Sequence, residues 1–297
     1  MGSDMICGFG WGNQLFCLSS HFINFIDLKR VSDHVLNMSA TVVASVPPSL
    51  HVFWAGFGSP HVEEKKRILR QNMRVIEASP WSTLHYTICC YDDTDLSEWA
   101  NDSRIEIIRE PGIVGQFLKR HLQPNTPATS EYDYLLLLLD DVELTPRTVN
   151  VAEMAHWLRE FHMDVLSPCL TRDSEIQFHY LRHEPQYTMP TLKITSVLEF
   201  FCYFTTPSWY ELYYSLIDET RNPWGWNLDM MLYRRFGFRV GVLNHMLMKH
   251  WYKGTSYAAR PDADPHEGAR FALERWGVTA GELAGQAAVR YVVGRVA

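Results

Sequence analysis

The chain has 297 residues, 46% of them hydrophobic and 21% charged, with 27 Lys and Arg against 34 Asp and Glu for a formal net charge of −7. That is the composition of a globular protein whose core can form without disulfides. The acidic balance, with basic residues scattered along the chain, argues against nucleic acid or an anionic membrane as the main partner.

Residues 1–48 carry no clean hydrophobic period and close on Val46-Pro47-Pro48, so they read as an N-terminal extension. The stretch 5–26 is apolar but is interrupted by Asn13, Gln14, His21 and Asn24. No basic run precedes it, and no uninterrupted apolar run reaches the roughly 18–20 residues of a spanning helix, so no leader or transmembrane segment is expected. None of Cys7, Cys17, Cys89, Cys90, Cys169 and Cys202 forms a Cys-x-x-Cys pair, which argues against a zinc ribbon or a redox motif. A reducing, cytoplasmic setting is the expectation. The triplets beginning at Asn37 and Asn101 are formal glycosylation sequons, which arise often by chance.

From residue 51 strands and helices alternate. Residues 51–57 predict a strand ending in Gly-Ser-Pro. Ser59 and Pro60 then read as the N-cap and first position of a helix, with Val62, Leu69, Met73 and Ile76 on its apolar stripe. Residues 83–91 and 104–109 predict two more strands, and 112–122 a helix. Residues 134–139 are apolar on both faces, as in a central strand. A helix over 149–161 and a strand over 163–166 complete this half. The alternation implies an α/β fold, a Rossmann-type, mostly parallel sheet flanked by helices. In the second half, 192–205 is β-prone and 208–217 is an aromatic-rich helix. A turn at 221–226 feeds a helix to about 236, and 239–249 is a strand before His250-Trp251. The tail, 259–297, reads as helical near 268–275 and 279–294. The catalytic domain is expected over 49–258.

Ligands of such sheets bind beyond the carboxyl ends of the strands. That places Gly56-Phe57, Asp92, Asp93, Asp140 and Asp141 on one rim. The sequence Leu139-Asp140-Asp141-Val142-Glu143 delivers carboxylates there, and Mg²⁺ or Mn²⁺ is commonly bridged by a few carboxylates to a diphosphate. A solvated loop after a core strand would carry acids too. Trp224-Gly225-Trp226-Asn227-Leu228-Asp229 offers flat faces for sugar rings and a carboxylate that could act as general base; it reads equally as core aromatics and a first-turn helix acid. Lys119 and Arg120 could neutralise a diphosphate, or form a solvated face. His250 gains meaning as a metal ligand if the carboxylates lie beside it.

The ordered segments Phe117 to Pro124, Glu131-Tyr132-Asp133-Tyr134 running into Asp140-Asp141, Ser167-Pro168-Cys169-Leu170, Leu198-Glu199-Phe200-Phe201, Trp224 to Asp229, and Gly241-Val242 with His250 downstream resemble one eukaryotic family. Its plant members are labelled lysine-ketoglutarate-reductase trans-splicing-related proteins, and the family looks like glycosyltransferases of the GT-A type. The resemblance covers roughly residues 51–252. It implies transfer from a nucleotide-sugar donor, such as a UDP-sugar, to a carbohydrate or other hydroxyl acceptor, with Mn²⁺ or Mg²⁺ as cofactor. Asp141 would be the direct metal ligand, with Glu143 and His250 in support. Gly56, Phe57, Asp92, Asp93, Lys119, Arg120 and Asp140 would line the donor site. Trp224, Gly225 and Trp226 would face the acceptor, and Asp229 or Glu199 would be the base of an inverting reaction. The family carries Asp-x-Asp where this chain has Leu139 at the first position. That departure keeps two other readings open, a non-catalytic carbohydrate- or nucleotide-binding module and a metal-dependent phosphohydrolase.

Overall fold

The structure, a computed structural model, describes residues 7–9, 15–17, 46–174, 179–225, 227–233, 235–251, 265–277 and 289–293. The chain divides into two units, Met1–Ser45 and Val46–Ala297. In the first, β1 (Cys7–Phe9) and β2 (Leu15–Cys17) pair antiparallel.

The second unit opens with β3 (Ser49–Phe57), helix α1 (Val62–Glu77), β4 (Thr83–Cys90) and β5 (Ile105–Arg109). Helix α2 (Val114–His121), the short α3 (Pro127–Ser130), β6 (Tyr134–Leu138) and β7 (Val142–Leu144) follow. Next come α4 (Val151–Glu160), β8 (Val165–Leu170), β9 (Thr191–Thr195), β10 (Cys202–Thr205) and α5 (Pro207–Leu216). The series ends with α6 (Leu228–Met231), β11 (Val240–His250), α7 (Pro265–Trp276) and β12 (Val289–Val293).

These strands form one sheet in the order β12-β9-β11-β8-β10-β6-β3-β4-β5, with β7 paired to β11 off that path. β3, β4, β5 and β6 are parallel neighbours, as are β8 and β11. β10 runs antiparallel between β6 and β8, β9 antiparallel between β11 and β12, and β7 antiparallel to β11. The sheet is therefore mixed, with most strands pointing one way, as the alternation predicts. β6 is central: all its residues are buried, between β3 and β10. Each of its leucines stabilises the fold by about 2 kcal/mol through the apolar surface it removes from water.

Several local expectations change. Ser59 does not cap α1; His61 occupies the cap position, at φ 67° and without a side-chain capping hydrogen bond. The Ser59 amide and hydroxyl instead both donate to Asp92 Oδ2, at 2.7 Å. The stretch 192–205 is two strands in different parts of the sheet, so Glu199 lies in the link between β9 and β10 rather than in a strand. The helix expected through 236 is only the short α6. In the tail, α7 is helical as expected, but within 279–294 the described residues form β12, whose Val and Tyr residues suit the pairing with β9. Among the described residues no helix is long and apolar enough to cross a membrane.

Candidate active site

The chain turns from β6 through Leu139-Asp140-Asp141 into β7, and β7 lies against the end of β11 in the register Val142↔His250. The pairing continues past the strands, because the Trp251 amide donates to the Asp141 carbonyl at 3.0 Å. Sheet register therefore brings Asp141 and His250, more than a hundred residues apart in sequence, side by side. His250 Nε2 lies 3.2 Å from Asp141 Oδ2, and both side chains are largely buried. The His250 ring is stacked on Phe201, with centroids 4.4 Å apart.

Asp140 turns the other way, toward α1. Its Oδ2 is 2.6 Å from Lys65 Nζ, as an ion pair whose angles fall outside those of a hydrogen bond. Lys65 Nζ also donates to the Gly58 carbonyl at 2.8 Å and to the Tyr91 hydroxyl at 3.4 Å. Burial raises Asp140 to about 7, against the pull of Lys65 and with the charge of Asp141 adding to it. Burial pulls Lys65 down, but the carboxylate outweighs it and holds the ammonium above its usual range. One lysine thus ties together the ends of β3, β4 and β6. Gly58 permits the approach: at φ 156° a Cβ there would come within 2.6 Å of the Tyr91 ring. Asp92, bonded to Ser59 and to the Thr94 amide, is held well below the usual carboxylate range despite its partial burial. Asp93 is exposed at the same rim. Gly56 sits at a bulge in β3 with φ 112°, while the Phe57 side chain is fully buried in the core.

Glu143 is fully engaged. Its two oxygens receive the Arg67 guanidinium, each at 2.7 Å, and Oε2 also accepts from Trp251 Nε1 at 2.6 Å. Partial burial works against its charge, but the Arg67 and Trp251 hydrogen bonds hold it below the usual range. Glu143 therefore braces Trp251, the residue next to His250.

The link 196–201 gathers the other candidates. The Phe201 carbonyl accepts from the Leu139 amide, and the Leu198 amide donates to the Asp229 carbonyl. The buried Tyr203 hydroxyl donates to the Leu198 carbonyl. Burial first, then Tyr213, Asp229 and Glu199, push Tyr203 upward, so both carboxylates lie within electrostatic reach of it. Asp229, in the first turn of α6, is raised to about 7 by burial, with the Met230 amide at 2.9 Å opposing. Trp224 and Gly225 form the turn before α6, with Gly225 at φ 70°; Trp226 lies outside the described residues.

Lys119 and Arg120 stand apart. Lys119 donates to the Tyr214 carbonyl at 2.9 Å, and Arg120 pairs with Glu110 and Glu219. Neither contacts the acidic strand end. Arg120 instead lines a cleft of ≈ 550 Å³ with Gln116, Glu219, Thr220, Trp224 and Glu267.

Among the described residues no group of three His, Cys, Asp or Glu side chains is arranged to hold a metal by itself. Two ligands do fit one. Asp141 Oδ1 is buried with no hydrogen-bond partner, which is costly for a carboxylate oxygen unless a cation meets it. The other oxygen, Oδ2, lies 3.2 Å from His250 Nε2, close to the roughly 3 Å between neighbouring ligands of a small octahedral cation. Mg²⁺-type ions are usually held by one or two carboxylates, with substrate phosphates and water completing the shell.

Lys65, Arg67 and Phe201 were not candidates from sequence. A signal existed for Lys65 and Asn72, charged and polar residues on the apolar stripe of α1; a polar group on a core-facing position needs a partner there. Arg67 and Phe201 carry no such local mark.

No protein-family model matches the chain, and no curated protein matches it. Solved structures do. GalNAc-T7 with UDP, GalNAc and Mn²⁺ superposes with a TM-score of 0.54 at 10% identity, over 78% of this chain and 49% of that one. S. aureus TarS with UDP-GlcNAc gives 0.46 at 10%, over 75% and 64%. The Pyrobaculum calidifontis mannosyltransferase PcManGT with GDP-Man and Mn²⁺ gives 0.46 at 14%, over 78% and 66%. The chain spans about half the length of the GalNAc-T7 chain. What it shares with GalNAc-T7 is the fold, a mixed and mostly parallel sheet flanked by helices, of the GT-A glycosyltransferase type.

Proposed function

We propose that the chain is a nucleotide-sugar glycosyltransferase that works with one divalent cation, Mn²⁺ or Mg²⁺, held by Asp141 and His250. The observation that carries this reading is Asp141 Oδ1, buried and without a hydrogen bond, on a carboxylate whose other oxygen lies 3.2 Å from His250 Nε2, at the carboxyl rim of a GT-A sheet. The presence of UDP and Mn²⁺ in GalNAc-T7 supports it, as does the resemblance to the plant trans-splicing-related family. When bound, the cation supplies charge neutralisation to a diphosphate leaving group.

The chain's own residues divide the remaining work. The rim made by Gly56 to Ser59 with Asp92 and Asp93 receives the nucleoside. Lys65 neutralises Asp140, leaving Asp141 as the carboxylate aimed at the cation. Trp224 offers a flat face to the acceptor sugar. Asp229, with a pKa of about 7, is basic enough near neutral pH to take the proton from an acceptor hydroxyl. Glu199, within electrostatic reach of the same Tyr203, is the alternative base. A base so placed suits an inverting transfer, with a UDP-sugar as the first donor to try.

Leu139 favours one competing reading, a binding module without turnover. It packs against the core where the family has an acid, so one polar contact to the donor is absent. Calorimetry with UDP, with and without Mn²⁺, and a sugar-release assay on UDP-sugars separate the two. The transferase reading expects Mn²⁺-dependent UDP binding together with slow sugar release to water. Binding with no release or transfer for any donor leaves the module; activity undiminished in EDTA overturns the cation site.

A further inference from the structure

Across β8 from the end of β11 stands an arginine on the same face of the sheet as His250. At the carboxyl end of β8, Leu170 pairs with Met248 of β11 on one side and with Arg182 on the other. Paired residues on adjacent strands send their side chains to one face, and so do residues two apart along a strand. Arg182, Leu170, Met248 and His250 therefore share a face, while the paired Glu143 and Lys249 lie on the opposite one. The Arg182 side chain turns toward the end of β11. Its Nη2 donates to the Ser174 carbonyl at 3.1 Å, and the Ser174 hydroxyl accepts from the His250 amide, also at 3.1 Å.

The backbone that carries this arginine is fixed, but its guanidinium is not satisfied. Lys193, fully buried on β9, donates to the Tyr180 carbonyl at 2.8 Å and to the Arg182 carbonyl at 2.6 Å. The buried Asn244 amide accepts from the Glu184 amide and donates to the Glu184 carbonyl, each at 2.9 Å. The His183 amide donates to the Leu170 carbonyl at 2.8 Å. Residues 180–184 are thereby tied to β8, β9 and β11. Among the described residues the guanidinium makes only the bond to Ser174: Nε is buried without an acceptor, and no carboxylate lies within ion-pair distance. Arg67, by contrast, is balanced by Glu64 and Glu143. A guanidinium is always charged, and a buried donor without an acceptor is costly. A fixed fork of donors that no carboxylate occupies selects an anion with paired oxygens, as in a phosphate. With Lys65 offset by Asp140, a divalent cation on Asp141 and His250 would leave this face with surplus positive charge. A diphosphate neutralises that surplus and a neutral sugar does not.

We propose that Arg182 is an anion-binding residue that grips a phosphate of the nucleoside diphosphate across β8 from the cation ligands. The word nucleoside rests on the transferase reading; the phosphate contact stands on the unbalanced guanidinium. The test uses the full chain, with calorimetry on UDP and on inorganic pyrophosphate in the presence of Mn²⁺, and a titration of Mn²⁺ alone followed by its paramagnetic resonance signal. Arg182→Gln and Arg182→Lys are compared with wild type. Arg182→Gln should weaken both phosphate probes about ten- to hundred-fold while its affinity for Mn²⁺ alone is unchanged. Arg182→Lys should recover part of that loss, because it keeps the charge and lacks the fork. Melting temperatures report folding; if Arg182→Gln melts early, the comparison is carried by Arg182→Lys, with weaker UDP binding at unchanged Mn²⁺ affinity. Wild-type UDP affinity retained in Arg182→Gln overturns the assignment and leaves the transferase reading standing. An equal loss of affinity for Mn²⁺ alone also overturns it, since Arg182 would then only brace His250 through Ser174. Pyrophosphate bound as tightly as UDP by wild type, and lost in Arg182→Gln, upholds the anion site and removes the nucleotide donor. Neither probe bound by wild type overturns both.

Discussion

At the scale of single residues, Asp141 and Asp229 differ because their surroundings differ. Asp141 has one oxygen, Oδ1, that the protein leaves unbonded, while the other lies against the His250 imidazole. Asp141→Asn keeps the shape but removes the charge, and we expect it to abolish Mn²⁺-dependent UDP binding in calorimetry; retained metal-dependent binding would move the cation elsewhere. Asp229 is a carboxyl raised to about 7 by burial. As a base it must be ionised, so kcat/KM should fall about ten-fold per unit as pH drops below about 7. Asp229→Asn should lower kcat about 10²–10⁴-fold and remove that limb of the profile. The same shift has a stability sign. Asp229 titrates higher folded than unfolded, where it sits near about 3.9. Its contribution is fully present below that value and is lost as pH rises through about 7. Asp229→Asn should therefore melt higher than wild type at pH 8, with the difference shrinking toward pH 4; equal differences at both would refute the burial argument.

At the scale of elements, α1 does more than cover the sheet. Its buried stripe carries Ile68, Leu69, Met73 and Ile76, but also Lys65 and Asn72. Asn72 bridges both backbone groups of the β7 edge, donating to the Val142 carbonyl and accepting from the Leu144 amide. Lys65 holds Asp140, and Arg67 holds Glu143. One helix therefore sets the geometry of the whole acidic turn. Removing one partner of a buried pair leaves the other uncompensated, so Lys65→Met should destabilise by about 3 kcal/mol in urea unfolding. Asp140→Asn in the same chain should restore a good part of that loss, and a double variant no better than the single would show that the pair is not the cause. On the other side of the turn, Trp251 Nε1 holds Glu143 while its amide holds the Asp141 carbonyl. Trp251→Phe should keep the fold and weaken Mn²⁺-dependent UDP binding about ten-fold, since groups behind metal ligands set their orientation.

At the scale of the whole molecule, the central strand and the alternation of helices and strands over 51–166 were legible because period and apolar run length report burial directly. The acidic rim was legible for the same reason: an apolar run that ends in carboxylates has one place to put them in a parallel sheet. What sequence could not settle were register and reach. Nothing local separates Glu143, braced by Arg67 and Trp251, from Asp141, which keeps an oxygen unbonded. Nothing local says that Lys119 and Arg120 turn to Tyr214, Glu110 and Glu219, or that the tail ends in β12 against β9. The sequence by itself determined the α/β alternation, the central strand and the set of acids at its end, because these follow from local patterns of burial. Only the tertiary structure decided which acid faces His250, which is neutralised by Lys65 and which cleft lies beside Trp224, because those outcomes depend on strand pairing and helix docking between residues far apart in the chain.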